Sequence, residues 1–113
     1  MEDNYKKVPL LDKHNKNEVD KIIKEYNNLF REVDELKVKI EKMKYNEISS
    51  FKPVIIQINA FGDKIKKLQD SSYPLYDILI NKAPEQFDQL FQLSRQIEEE
   101  NQKLIKQYIN FFI

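Results

Sequence analysis

Several residue types that supply chemistry in proteins are absent or rare in this chain. It contains no Cys, one Gly and one His among 113 residues. Disulfides, thiolate nucleophiles and Cys-ligated metals are therefore excluded. Gly62 alone cannot form the glycine-rich loops that cradle phosphate groups, and His14 has no second His beside which to build a metal or catalytic site. We therefore expect no enzyme activity, no metal and no cofactor.

The chain also lacks a charge excess of either sign and a long apolar run. Lys plus Arg and Asp plus Glu number 19 each, which disfavours nucleic acid as a partner. The longest uncharged run covers residues 53–62, whereas a transmembrane helix needs about 20 residues. Glu2 and Asp3 do not suit a signal or transit peptide. We expect an intracellular protein without a transmembrane helix.

Apolar residues recur at alternating spacings of three and four along most of the sequence, which is typical of amphipathic helices. The pattern predicts helices over 18–46, 53–82 and 84–112, preceded by an extended arm over 1–16. Asn17 is the predicted N-cap of the first helix. Pro74 lies inside the middle helix and predicts a kink or a break near 71–74.

The predicted helices are similar in length and joined by short corners. In heptad terms, the first helix has apolar a and d positions and also apolar e positions at Ile23 and Phe30. A stripe this wide suits a helix that touches two neighbours. We predict an all-α, antiparallel, coiled-coil-like three-helix bundle, or extended helices packed on partner subunits.

Some apolar residues lie off the core stripe or at the chain ends, where a partner could cover them. Val38 and Tyr45 share the outward f position of the first helix, and the last six residues carry no charge. Large apolar side chains that are exposed at the end of a helix bind other apolar surfaces unless another part of a protein covers them. The predicted partner-binding residues are Val8, Leu10, Leu11, Val38, Tyr45, Tyr108, Ile109, Phe111, Phe112 and Ile113.

Two polar residues, Ser94 and Asn101, interrupt the apolar a positions of the last helix. Polar residues at such positions lower stability but can fix the register between helices. We predict that both set register.

These features favour a non-catalytic structural or accessory subunit of a larger assembly, bound to other protein subunits in a homo- or hetero-oligomer. An alternative is an autonomous three-helix adaptor or chaperone-like module, since the size and helix layout resemble spectrin repeats and syntaxin N-terminal bundles. No motif carries that resemblance, and the core Trp of spectrin repeats is missing.

A lesser alternative is peripheral membrane attachment through the aromatic C-terminus, beside which only Lys103 and Lys106 supply positive charge.

Overall fold

The protein folds as three helices packed side by side. The computed structural model describes residues 11–44 and 52–111, apart from the side chain of Lys44. Helix α1 spans Lys13–Lys44, α2 spans Lys52–Lys82 and α3 spans Pro84–Phe111. Each helix packs against the other two, and no strand occurs among the described residues. The predicted all-α three-helix bundle is confirmed.

The core consists of the apolar a and d positions that the spacing predicted. In α1 every one of them is buried: Val19, Ile22, Tyr26, Leu29, Val33, Leu36, Ile40 and Met43. In α2 the buried positions are Val54, Ile58, Phe61, Ile65, Leu68, Ser72, Leu75 and Leu79. In α3 the d positions Leu90, Ile97 and Leu104 are buried, whereas the a positions remain half-exposed. One side of α3 therefore lies at the bundle surface.

Helix α1 begins earlier than the sequence predicted. Residues 13–16 are helical, so the predicted end of the extended arm at residue 16 and the predicted cap at Asn17 are wrong, and Asp12 caps the helix instead. Residues 1–10 of the predicted arm lie outside the described part of the chain. The amide of Asn15 donates a hydrogen bond to Asp12 Oδ1 at 2.8 Å, and the amide of Lys16 donates to the Asp12 carbonyl at 2.9 Å. A carboxylate at an N-cap satisfies free backbone amides and complements the helix dipole. Residues 13–16 thus form the first turn of α1.

Helix α2 runs through Pro74 without interruption, so of the kink or break predicted near 71–74 the break is absent, and the kink stays a prediction. Proline removes one backbone donor at this point. The hydroxyls of Ser71 and Ser72 donate to the carbonyls of Lys67 and Leu68 at 2.9 and 2.8 Å. Ser72 and Leu75 are buried on either side of the proline. Tertiary packing therefore holds the helix together where local propensity disfavours it.

A single residue, Ala83, separates α2 from α3. Its carbonyl accepts hydrogen bonds from the amides of Gln86 and Phe87 at 3.0 and 3.1 Å. Pro84 occupies the first position of α3, where its missing donor has no cost and its fixed φ suits the helix. This short corner makes α2 and α3 antiparallel neighbours.

Candidate interaction surface

Three seams run along the bundle surface, one where each pair of helices meets. Polar contacts bridge the α1–α2 seam. Lys64 Nζ lies 2.8 Å from Glu32 Oε1, and Lys39 Nζ donates to Gln57 Oε1 at 2.7 Å. A groove of about 340 Å³ on this seam is lined largely by charged and amide side chains, with Leu29 and Leu68 at its base.

The α1–α3 seam is also bridged by polar contacts. Lys37 forms an ion pair with Glu100, and Gln107 Nε2 donates to Glu41 Oε1 at 3.2 Å. The hydrogen bond from Lys37 holds the pKa of Glu100 below its ordinary value, and Lys103 lowers it further, although burial acts in the opposite direction. The half-buried Ile23, Phe30 and Leu93 pack against the core from this side of the bundle.

The α2–α3 seam has a different character. Residues of the two helices meet in layers seven residues apart. Gly62 lies opposite Asn101, Gln69 bonds Ser94, and Tyr76 contacts Phe87. This regular spacing defines the antiparallel register between α2 and α3, with one polar layer between two apolar ends.

The polar layer of this seam is centred on Gln69. Its amide nitrogen donates to Ser94 Oγ at 2.9 Å and to Glu98 Oε1 at 2.6 Å. These hydrogen bonds can form in only one axial register of α2 and α3. This geometry is compatible with the predicted register-setting role of Ser94, which stays a prediction.

One apolar end of the seam is the terminal groove, a concave site of about 330 Å³ between α2 and α3. A Cβ atom placed on Gly62 would lie 4.0 Å from Asn101 Nδ2, so the glycine leaves the groove open at this point. Asn101 Oδ1 is buried and has no hydrogen-bond partner among the described residues. The groove is lined by Ile55, Ile58, Asn59, Gly62, Asn101, Ile105, Tyr108 and Ile109.

The other apolar end is the aromatic cluster, which consists of Tyr73 and Tyr76 on α2 and Phe87 and Phe91 on α3. Edge-to-face contacts join Tyr73 to Tyr76 at a centroid distance of 5.7 Å and Tyr76 to Phe87 at 5.2 Å. Phe91 stacks on Phe87 at 6.0 Å. Tyr73 and Phe91 remain 61% and 47% exposed at the two edges. The cluster is therefore partly a structural contact and partly an open apolar surface.

Tyr76 lies at the centre of this cluster. Burial raises its pKa to about 12, the neighbouring Tyr26 and Tyr73 add to the rise, and a hydrogen bond with Ser94 acts in the opposite direction. The phenol therefore stays protonated at neutral pH, as an ordinary tyrosine does, and its ring packs edge-to-face against Tyr73 and Phe87.

The structure disperses the predicted partner-binding residues. Tyr108 and Ile109 line the terminal groove together, and Ile109 is 50% exposed. Leu11 and Phe111 pack against the core, whereas Val38 is exposed on the outer face of α1, away from the groove. The remaining predicted residues lie outside the described part of the chain: Val8, Leu10, Tyr45, Phe112 and Ile113.

Sequence reasoning missed several of the exposed apolar residues. Of the six large ones among the described residues, the four on the α2–α3 side are Tyr73, Ile80, Phe91 and Ile109, and the other two are Val38 and Ile56. Extending the heptad register into α2 would have placed Tyr73 and Ile80 together on one outer flank. That register was obscured by Pro74, at which a break was expected.

Within residues 11–44 and 52–111, no three His, Asp or Glu side chains converge on a possible metal site. None of the described helices is both long enough and apolar enough to cross a bilayer. The chain matches no known protein family, no curated protein and no solved structure. The site must therefore be interpreted from its own chemistry.

Proposed function

We propose that this chain is a non-catalytic accessory subunit that binds another protein through its α2–α3 face, meaning the terminal groove and the aromatic cluster together. The observation that carries the proposal is the position of the exposed apolar residues. Three of the six large ones among the described residues, Tyr73, Phe91 and Ile109, belong to this face, and Ile80 lies one heptad from Tyr73 on the same flank of α2. Scattered apolar residues are normal on protein surfaces, but a concentration on one face is typical of interaction sites.

The geometry of the face suits an elongated partner. Tyr76 and Ile58 are separated by 18 residues of continuous helix, on the order of 27 Å. A partner helix of similar length could contact both apolar ends and cross the Gln69 layer between them. Helix-in-groove binding uses such a row of apolar anchors.

The proposal is tested on the purified chain by light scattering and by binding of an apolar fluorescent dye. We expect dye fluorescence that falls in a Tyr73→Ser/Phe91→Ser variant. Val38→Ser/Ile56→Ser is the control, since it also removes two large apolar side chains, which are 53% and 64% exposed outside the α2–α3 face. A monodisperse monomer that binds no dye would contradict the proposal, as would equal loss of fluorescence in the control.

The autonomous adaptor or chaperone-like module remains the second candidate, favoured by the completeness of the core. The a and d positions of α1 are buried by α2 and α3 without help from another chain. In the same measurement, a cooperatively melting monomer favours this module. An isolated chain that aggregates or unfolds favours an obligate subunit.

A further inference from the structure

The exposed edge of the aromatic cluster is surrounded by carboxylates. Asp70 and Asp77 lie one helical turn on either side of Tyr73, and Asp88 lies one turn before Phe91. All three aspartates are exposed, and no ion pair among the described residues involves them. Glu32, on the α1–α2 seam, is by contrast paired with Lys64. The charges around the cluster are thus available to a partner.

This acidic character is local. The hairpin formed by residues 69–99 carries six acidic residues against Lys82 and Arg95, a net charge of −4 in a chain whose overall net charge is zero. The rest of the chain is correspondingly positive. Lys66 and Lys67 lie one turn before Asp70, and Arg95 lies one turn after Phe91, but none of them forms an ion pair with the three aspartates among the described residues. A face that combines exposed aromatic rings with unpaired carboxylates complements a surface that is apolar and basic.

We propose that the aromatic cluster docks an amphipathic helix of a partner protein whose apolar stripe is flanked by Lys or Arg. This inference rests on the proposed function and names the chemistry of the partner. The apolar stripe covers Tyr73 and Phe91, while the basic side chains reach Asp70, Asp77 and Asp88. Cations that lie over the exposed rings gain further attraction from the aromatic faces.

The direct test uses two labelled peptides of roughly 18 residues, the length that spans the α2–α3 face. One consists of Leu at helical spacing with Lys at the other positions, and the other has Glu in place of every Lys. Binding to the full chain is measured by fluorescence anisotropy. We expect the Lys peptide to bind, the Glu peptide not to bind, and the affinity to fall as salt is raised.

The variants locate the charge effect on this face. Asp70→Asn/Asp77→Asn/Asp88→Asn should weaken binding of the Lys peptide about tenfold, since three exposed charge contacts are lost. Asp20→Asn/Asp34→Asn/Glu35→Gln is the matched control, because it removes the same charge from exposed positions of α1. We expect the control to bind within about twofold of the wild type. Circular dichroism verifies that both variants are folded.

Several outcomes would overturn the inference. If both peptides bind equally and only Tyr73→Ser/Phe91→Ser weakens them, the face docks helices without selecting charge, and the proposed function survives alone. Failure of the Lys peptide to bind at about 1 mM, or equal weakening in the control, contradicts the basic partner. Lys24, Arg31 and Val38 are exposed at heptad spacing on the outer face of α1 and combine positive charge with an apolar side chain. Dimers that dissociate when Lys24 and Arg31 are replaced by Gln would therefore identify a second copy as the occupant instead.

Discussion

The α1–α2 and α2–α3 seams border the same core but differ in what lies beside it. On the α1–α2 seam, a Glu–Lys pair and a Lys–Gln pair join the flanking positions. On the α2–α3 seam, the flanks are aromatic at one end, polar around Gln69, and aliphatic with Asn59 and Asn101 at the other end. Burial of the a and d stripe is enough to assemble a bundle. The flanking positions determine whether the surface along each seam is mainly charged or mainly apolar.

The largest effect on stability is expected from truncating an aromatic side chain of the α2–α3 seam. Phe87 is half-buried between Tyr76 and Phe91. Phe87→Ala should reduce the free energy of unfolding by about 2–3 kcal/mol, less than truncation of a fully buried Phe. Urea denaturation followed by circular dichroism measures it. Phe91→Ala, at the exposed edge, should cost much less, and equal losses would contradict this distinction between packing and open surface.

The substitution Asn101→Leu should stabilise the α2–α3 seam, whereas Phe87→Ala should destabilise it. The substitution removes a buried oxygen that has no partner among the described residues and fills the terminal groove with an apolar side chain. The free energy of unfolding should rise by about 1–2 kcal/mol. If Asn101 sets register, the variant should also give more than one set of amide resonances. A less stable variant would contradict the energetic argument, and a single set of resonances would contradict the register role.

Tyr76 provides a pH-dependent probe of the same seam. Its pKa is about 12 in the folded protein, against an ordinary value of 10.0. A raised pKa means that stability is fully present below pH 10 and is lost as pH rises from 10 to 12, because only the unfolded chain ionises there. The stability difference between the wild type and Tyr76→Phe should therefore shift against the wild type over this window. A difference that is independent of pH would place Tyr76 in contact with solvent.

The smallest effect is expected on the α1–α2 seam. The Lys64 side chain is 55% exposed in its pair with Glu32, so Lys64→Gln should cost no more than about 0.5 kcal/mol. The cost should vanish at high salt, because exposed charges are screened. Thermal melts at low and high salt measure it. If Lys64→Gln lowered the free energy of unfolding more than Phe87→Ala does, the α1–α2 seam would contribute more to stability than the α2–α3 seam, and the prediction would be wrong.

The fold was largely predictable because helical periodicity is a local signal. The buried positions of α1 follow from the spacing of its apolar residues alone. The start of α1 was misplaced because Asp12 and Asn17 are both acceptable caps. Of the kink or break predicted at Pro74, the break does not occur, because the burial of Ser72 and Leu75 in the bundle is not visible in local sequence.

The candidate site was less predictable. Outward positions such as Val38 and Ile109 were recognised, but Tyr73 and Ile80 were not, because the interruption expected at Pro74 obscured the heptad register that places both on one flank of α2. Tyr76 and Phe87 are near in sequence, yet their contact depends on the one-residue corner at Ala83. Residues that belong to the same surface are therefore identified only once the helices have been placed against each other.

The sequence by itself determined that this chain forms three amphipathic helices and which residues of each face the core. The tertiary structure alone decided which flank of each helix meets which neighbour. Three helices can be arranged as a left-handed or a right-handed bundle, and the same a and d residues are buried in both. In one arrangement the e flank of a helix faces one neighbour and the g flank the other, and in the other arrangement these neighbours are exchanged. Side-chain pairs such as Lys64–Glu32 and Tyr76–Phe87 distinguish the two arrangements, because each pair forms in only one of them.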